Sequence, residues 1–364
     1  MMIPVSKPYI AEQELAHVSE AVRSGWVSSL GPYIDAFESR FADYCGTKYA
    51  VTVSNGTVGL HLALIALGVK PGDEVIVPDL TFVATANAVV TAQATPVMVD
   101  VRRDTYCIDP DQIVRAITPR TKAIIPVHLY GHPANMSAIL SIAKSRNLLV
   151  IEDAAEAHGA SIDGTRVGAF GDCGVFSFYG NKIITSGEGG MITTNSDETY
   201  RRIKHLRDHA MSKDVRYWHT EVGYNYRMTN MQAALGLSQL NQIESFLDKR
   251  SRILEKYRKY LAPEGVECNP SIDASCVNWM VCAVVNSLGR SKRDLVIDKM
   301  REQGVDARPF FFPVSALPMF AKADNPVSME LSENGFNLPT YFELELEKIG
   351  MICTVFLRSL DEVR

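Results

Sequence analysis

Between residues 49 and 195 the chain alternates between short runs of β-branched residues and longer amphipathic stretches. The runs have the length of buried strands, and the stretches between them have the apolar spacing of helices. Strands joined by helical crossovers form a mainly parallel sheet that helices cover on both faces. We therefore predict an α/β large domain, with strands at 49–53, 74–77, 96–99, 122–127, 148–151, 174–178 and 189–194 and helices at 56–67, 82–91 and 135–146.

The C-terminal part of the chain has a different pattern. It is helical almost throughout residues 230–260, until the Pro263-Glu264-Gly265 sequence interrupts it. The remainder reads as a smaller α+β unit, with a strand at 277–285, a helix at 291–303 and a Pro- and Phe-rich loop at 308–320. We predict three parts: an N-terminal arm at 1–30, a large domain at 31–245 and a small C-terminal domain at 246–364.

Composition excludes several classes of protein. The net charge of −5 argues against a general nucleic-acid-binding surface. The seven cysteines are scattered and contain no C-x-x-C pair, which predicts reduced thiols and no metal site. The N-terminus lacks the pattern of a secretory signal, and no apolar run has the length of a membrane span. We predict a cytoplasmic protein, whose composition is compatible with a local basic pocket for a phosphorylated small molecule.

Open α/β sheets bind ligands beyond the carboxyl ends of their strands, and Ser54-Asn55-Gly56-Thr57 lies at such an end. Backbone N–H groups at the start of a helix attract anions. Gly56 permits close approach of an anion, and Thr57 adds a hydroxyl. The sequence therefore predicts a candidate phosphate site, although an ordinary capped turn has the same residues.

Two charged residues follow later strands. Asp153 ends an apolar strand, where a carboxylate needs a charged partner. A protonated pyridine nitrogen would be such a partner. Metal binding and helix capping are the alternative roles for this carboxylate. Lys182 lies between a strand and the glycine-rich turn at 187–190, as a Schiff-base lysine does, although a lone lysine is more often a solvated surface charge. Because the three features occur in order along one sheet, their combination favours a shared site.

These motifs resemble those of the DegT-type nucleotide-sugar aminotransferases, a branch of the fold-type I, aspartate aminotransferase-like enzymes that use pyridoxal 5'-phosphate (PLP). The resemblance runs along the whole chain and includes EDAAEAHG at 152–159, FSFYGNK at 176–182 and GYNYR at 223–227. Further matches lie at 25–31, 37–38, 54–57, 78–82, 130–133, 171–174 and 187–190. It implies a large PLP-binding domain with a mainly parallel sheet and a smaller α+β C-terminal domain.

The resemblance also implies roles for individual residues. Lys182 would attach PLP and carry protons, with pyridoxamine phosphate as the second form of the cofactor, and Asp153 would face the pyridine nitrogen. The remaining cofactor contacts would be Phe82 and Ala155 on the two ring faces, Glu156 near the ring hydroxyl, Gly56, Thr57 and Ser177 at the phosphate, and Asn225 from the partner chain of a homodimer. Core or turn positions are the alternatives for Phe82, Ser177 and Asn225.

For the substrate the resemblance is closest to members that transfer an amino group from L-glutamate to a GDP-linked 4-keto-6-deoxy sugar. It suggests substrate contacts, or dimer contacts, for Trp26, Ser28, Arg227, Arg308 and Phe310. His128, His132 and His158 could contact substrate or belong to the core. The alternatives are an aminotransferase that acts on a TDP- or UDP-linked sugar, a PLP-dependent sugar dehydratase and a non-catalytic PLP-fold regulator. The dehydratase branch carries histidine in place of Lys182. The implied setting is bacterial surface-polysaccharide synthesis, such as lipopolysaccharide O-antigen.

Overall fold

The structure is a computed structural model that describes residues 2–270 and 275–364. Its helices are α1 (Glu12–Arg23), α2 (Pro32–Cys45), α3 (Gly56–Ala66), α4 (Ala84–Thr91), α5 (Pro110–Ala116), α6 (Met136–Arg146), α7 (Asp197–Arg207), α8 (Asn230–Asn241), α9 (Ile243–Leu261), α10 (Arg290–Glu302), α11 (Pro326–Asn334) and α12 (Lys348–Asp361). Its strands are β1 (Tyr49–Val53), β2 (Glu74–Pro78), β3 (Thr95–Val99), β4 (Thr121–Ile124), β5 (Leu149–Asp153), β6 (Ser161–Ile162), β7 (Thr165–Arg166), β8 (Cys173–Ser177), β9 (Gly190–Thr194), β10 (Glu267–Cys268), β11 (Val281–Val284), β12 (Arg308–Pro309) and β13 (Gly335–Leu338).

The large sheet has the strand order β1-β9-β8-β5-β4-β2-β3. Its last five strands are parallel, which confirms the predicted α/β sheet. Strand β9 runs antiparallel to both neighbours, because residues 178–189 join it to β8 without a crossover helix. Strands β1, β5 and β8 therefore point in the same direction, and their carboxyl ends meet at one edge of the sheet.

Both faces of the large sheet are buried, as the runs of β-branched residues predict. On β2, Val75 and Val77 face a core that they share with α3, α4 and α7, whereas Ile76 faces a core shared with α2, α6 and α8. Successive side chains of a strand point to opposite faces, so one short run supplies both cores. This packing holds the strand ends in fixed positions for the site.

The small sheet is antiparallel, with the order β10-β11-β13-β12. Helices α9, α10 and α12 cover it with a third core that includes Tyr257, Val296 and Phe356. Helix α9 passes through the predicted boundary between residues 245 and 246. The division of the chain into an arm and two domains stays a prediction.

The structure adds detail to three local expectations. The stretch at 230–260 is two helices with a break at Gln242. The arm at 1–30 contains α1, which packs on α8 and whose buried Glu14 accepts hydrogen bonds from Gln239 (2.8 Å) and Gln242 (2.7 Å). The strand at 277–285 is shorter, because the N–H groups of Val277 and Trp279 bond to backbone oxygens at residues 130 and 131 instead of joining the sheet.

None of the helices in the described ranges combines the length and the apolar character that crossing a membrane requires.

Candidate active site

A cavity of about 520 Å³ lies where the carboxyl ends of β5 and β8 meet the beginning of α3. It contains eight of the residues that the sequence singled out, Gly56, Thr57, Phe82, Asp153, Ala155, Glu156, Ser177 and Lys182. Other lining residues include Thr81, Tyr179, Asn181, Trp279 and Phe311. The large sheet therefore brings its predicted motifs together in one place.

One end of the cavity suits a phosphate group. Asn55 caps α3, and its Oδ1 accepts the N–H of Val58 at 3.0 Å. The first N–H groups of a helix have no acceptor within it, and they attract anions together with the helix dipole. A Cβ atom on Gly56 would lie 3.0 Å from the Cβ of Ser177, so the start of α3 lies in close contact with the end of β8. The hydroxyl-bearing residues Thr57 and Ser177 complete this wall.

Asp153 is a buried carboxylate at the end of β5. Its Oδ2 accepts a hydrogen bond from the hydroxyl of Thr85 at 2.7 Å, and its Oδ1 accepts the N–H of Ala155 at 3.2 Å. Burial raises the pKa of Asp153, whereas these two hydrogen bonds and the charge of Lys182 act to lower it. A cationic group in the cavity would stabilise the carboxylate further, as a protonated pyridine nitrogen does.

Lys182 lies in the turn between β8 and β9, and its side chain is 12% exposed. Its Nζ lies 3.5 Å from Oε1 of Glu156 and 4.1 Å from the centroid of the Trp279 ring. Oε2 of Glu156 accepts the N–H of Tyr130 at 2.9 Å. Burial raises the pKa of Glu156, and the charge of Lys182 opposes that rise. The amine is thus held inside the cavity, where it can reach a bound aldehyde.

Phe82 forms part of the cavity wall and has an exposed fraction of 54%, which is unusual for so large an apolar side chain. Its ring lies 5.7 Å from that of Phe311. An exposed aromatic face beside a cavity is suited to a planar ligand. With an anion site, a buried carboxylate and an amine in the same cavity, the residues fit PLP.

Several predicted substrate residues lie outside this cavity. Arg227 donates to the carboxylate of Asp208 and, at 3.1 Å, to Oδ1 of Asn225. Trp26 is exposed, and the carbonyl of Ser28 accepts the N–H of Asn230 at 2.6 Å. Asn225 therefore stays a predicted contact from a second chain, and Arg227, Trp26 and Ser28 stay predicted substrate or dimer contacts.

The loop that begins at Arg308 contributes a different ring to the cavity from the one predicted, and Arg308 itself stays a predicted substrate or dimer contact. The guanidinium of Arg308 is exposed and pairs with Asp306 at 3.1 Å, outside the cavity lining. The Phe310 side chain is 1% exposed and packs on Tyr130, with 4.8 Å between the ring centroids, so it is part of the core. Its neighbour Phe311 lines the cavity instead.

The three histidines named from the sequence lie in the core. The Nδ1 atom of His128 accepts the N–H of Ala134, so its Nε2 donates to Oε2 of Glu152 at 3.0 Å. His158 lies beside Phe176 and Phe178, and burial lowers its pKa to about 3. His132 is buried as well, and burial lowers its pKa.

Sequence reasoning missed Thr85, Trp279 and Phe311. Thr85 lies in the first turn of α4, and no local motif marks it. Trp279 belongs to the part of the chain that forms the small sheet, and no local motif marks it.

Comparisons with known proteins agree with this geometry. The chain matches the DegT/DnrJ/EryC1/StrS aminotransferase family over residues 8–357. It is 44% identical to the GDP-perosamine synthase of Caulobacter vibrioides over 367 residues, which cover 99% of this chain and 98% of that protein.

Solved structures are similar over the whole chain. The PLP form of the putative sugar aminotransferase Spr1654 from Streptococcus pneumoniae superposes with a TM-score of 0.95 at 29% identity, covering 100% of both chains. DesI, solved in the presence of its TDP-sugar product, has a TM-score of 0.91 at 30% identity, covering 100% of this chain and 94% of its own. The chain belongs to the DegT/DnrJ/EryC1/StrS aminotransferase family and is a PLP-dependent aminotransferase.

Proposed function

We propose that this enzyme transfers the amino group of L-glutamate to the keto carbon of GDP-4-keto-6-deoxy-D-mannose and produces GDP-perosamine. The observation that carries the proposal is the Lys182 amine inside a cavity whose other walls suit PLP. The choice of sugar rests on the full-length similarity to a GDP-perosamine synthase.

The first task of the chain is to hold and orient the cofactor. Bound PLP supplies an aldehyde that takes up the amino group and a ring that accepts the electron pair of the broken C–H bond. The N-terminus of α3 with Ser177 would hold the phosphate, and Phe82 would cover one face of the ring. Asp153 would keep a proton on the ring nitrogen, because its buried carboxylate gains most from a cationic partner.

The second task is to move a proton. The neutral amine of Lys182 would take the proton from the α-carbon of the donor and deliver it to the reactive carbon of the cofactor. Glu156 lies 3.5 Å away and would stabilise the ammonium that forms between these two events. The same groups serve the sugar half-reaction in the reverse order, because one lysine can accept and return the proton.

A TDP-linked 4-keto sugar is the second candidate substrate. DesI, which was solved in the presence of its TDP-sugar product, matches 100% of this chain at 30% identity. The presence of Lys182 argues against the dehydratase branch, which carries histidine there. The complete set of Gly56, Asp153, Ser177 and Lys182 in one cavity argues against a non-catalytic regulator.

We propose a cytoplasmic homodimer with shared sites, in which Asn225 reaches the phosphate in the partner chain. Trp26, Val27 and Leu30 are exposed near one another in sequence, and Tyr217 and Trp218 are exposed in a second segment. Exposed apolar side chains grouped in this way are typical of protein interfaces. The product would enter surface-polysaccharide synthesis, such as that of O-antigen.

The test is the visible absorbance spectrum of the purified protein with PLP. L-glutamate should remove the long-wavelength band of the bound cofactor, and GDP-4-keto-6-deoxy-D-mannose should restore it. Restoration by a TDP-linked 4-keto sugar alone would replace the proposed substrate. Lys182→Ala should abolish turnover, whereas Lys144→Ala, a change in an exposed lysine of α6, should not. Normal turnover in the Lys182→Ala protein would overturn the assignment.

A further inference from the structure

Trp279 is fixed by all of its polar groups. Its backbone N–H donates to the carbonyl of Tyr130 at 3.1 Å, and its own carbonyl accepts from Nη1 of the buried Arg250 at 2.6 Å. The indole Nε1–H donates to the carbonyl of Asn181 at 2.8 Å. The ring is 4% exposed and lies nearly parallel to that of Tyr130. Hydrogen bonds at the backbone and at the indole nitrogen therefore fix the orientation of the ring.

The face of this ring meets the reactive amine. Nζ of Lys182 lies 4.1 Å from the ring centroid, inside the range in which the negative face of an indole attracts an ammonium ion. The amine also lies 3.5 Å from Oε1 of Glu156. It is therefore placed between a carboxylate and an aromatic face, and each of them attracts an ammonium ion.

We propose that Trp279 is a positioning residue for Lys182: its ring holds the amine when that amine is protonated, and its indole N–H fixes the backbone that carries it. The inference deepens the proposed function and rests on it, because the lysine needs such support only while it carries the transferred proton. Asn181, whose carbonyl accepts the indole N–H, is the residue that precedes Lys182.

Trp279 connects the small sheet to the reactive amine. Trp279 lies two residues before β11, whereas Lys182 and Glu156 belong to loops of the large sheet. The lysine is thus held by groups from both sheets. A change in how the small sheet packs would alter the surroundings of the amine without touching any cofactor contact.

The test measures the amine itself in the full-length, cofactor-free protein. Reductive methylation with ¹³C-formaldehyde labels the lysines, and the signal missing in a Lys182→Ala sample identifies Lys182. The pH midpoint of that signal should fall by about 0.5–1 pH unit in Trp279→Leu, and by less in Trp279→Phe, which keeps a weaker aromatic face. In the PLP-loaded enzyme, the single-turnover rate constant at saturating L-glutamate should fall, while the L-glutamate concentration that gives the half-maximal rate changes little.

Phe311→Leu is the matched control, because it removes another aromatic ring from the same cavity. Its pH midpoint should stay at the wild-type value. A midpoint that stays or rises in both Trp279 variants overturns the proposal, as does an equal shift in the control. Where Trp279→Leu does not fold, the smaller fall in Trp279→Phe decides the question. No sugar is present, so failure here is distinct from failure of the proposed substrate.

Discussion

The hydroxyl of Thr85 offers a direct way to change the electrostatics of Asp153. It donates at 2.7 Å to a carboxylate whose pKa burial already raises. Thr85→Val keeps the shape of the side chain and removes the donor. A hydrogen bond to a charged group contributes about 1.5–3 kcal/mol, and 1.36 kcal/mol corresponds to about one pKa unit. The pKa of Asp153 should therefore rise by about 1–2 units.

The sign of the effect on activity follows from the proposed role of the carboxylate. Only the ionised form of Asp153 can keep the cofactor nitrogen protonated, so a higher pKa makes activity disappear at a higher pH on acidification. The acid limb of the kcat/KM profile with L-glutamate should move up by about 1 pH unit or more in Thr85→Val.

Thr85→Ser supplies the control, because it keeps the hydroxyl. Its acid limb should coincide with that of the wild-type enzyme. The reasoning is refuted if the limb does not move in Thr85→Val, or if Thr85→Ser moves it equally.

Four further substitutions test binding and stability. Gly56→Ala places a Cβ 3.0 Å from the Cβ of Ser177, so the wall that would hold the phosphate must shift; PLP affinity in a spectral titration should fall about tenfold or more, and the melting temperature of the cofactor-free protein should fall as well. Asp79→Ala removes a buried carboxylate that accepts three hydrogen bonds from residues 315 and 325, and urea denaturation should show a loss of about 3 kcal/mol. Phe310→Ala should cost about 3–5 kcal/mol of stability in the same assay, because its ring belongs to the core. Phe311→Ala should mainly raise KM for the nucleotide sugar, because its ring lines the cavity. The opposite pattern would contradict the assignment of these two rings.

The large sheet and the centre of the site could be predicted from the sequence. Short β-branched runs separated by amphipathic stretches define a parallel sheet that is buried on both faces. In such a sheet the carboxyl ends of the strands meet at one edge. Gly56, Asp153 and Lys182 follow strands along the chain, so their convergence in one cavity is a consequence of the pattern and needs no knowledge of distant contacts.

The rest of the site was decided by tertiary packing. Phe310 and Phe311 are adjacent and equally apolar. No local pattern tells which ring packs in the core and which one lines the cavity. Gly335 of β13 decides it, because a Cβ atom there would lie 2.3 Å from the Phe310 ring. The ring occupies the space that this glycine leaves, and the next side chain points to the opposite side, into the cavity.

The role of Trp279 could not be predicted from the local sequence either. Nearly 100 residues separate it from Lys182, and its position depends on bonds to Tyr130, Asn181 and Arg250. Sequence alone determined which strand ends carry the reactive groups, because that follows from the periodicity of local segments. Only the tertiary structure decided which side chains surround the amine, because those contacts depend on how the small sheet packs against the large one.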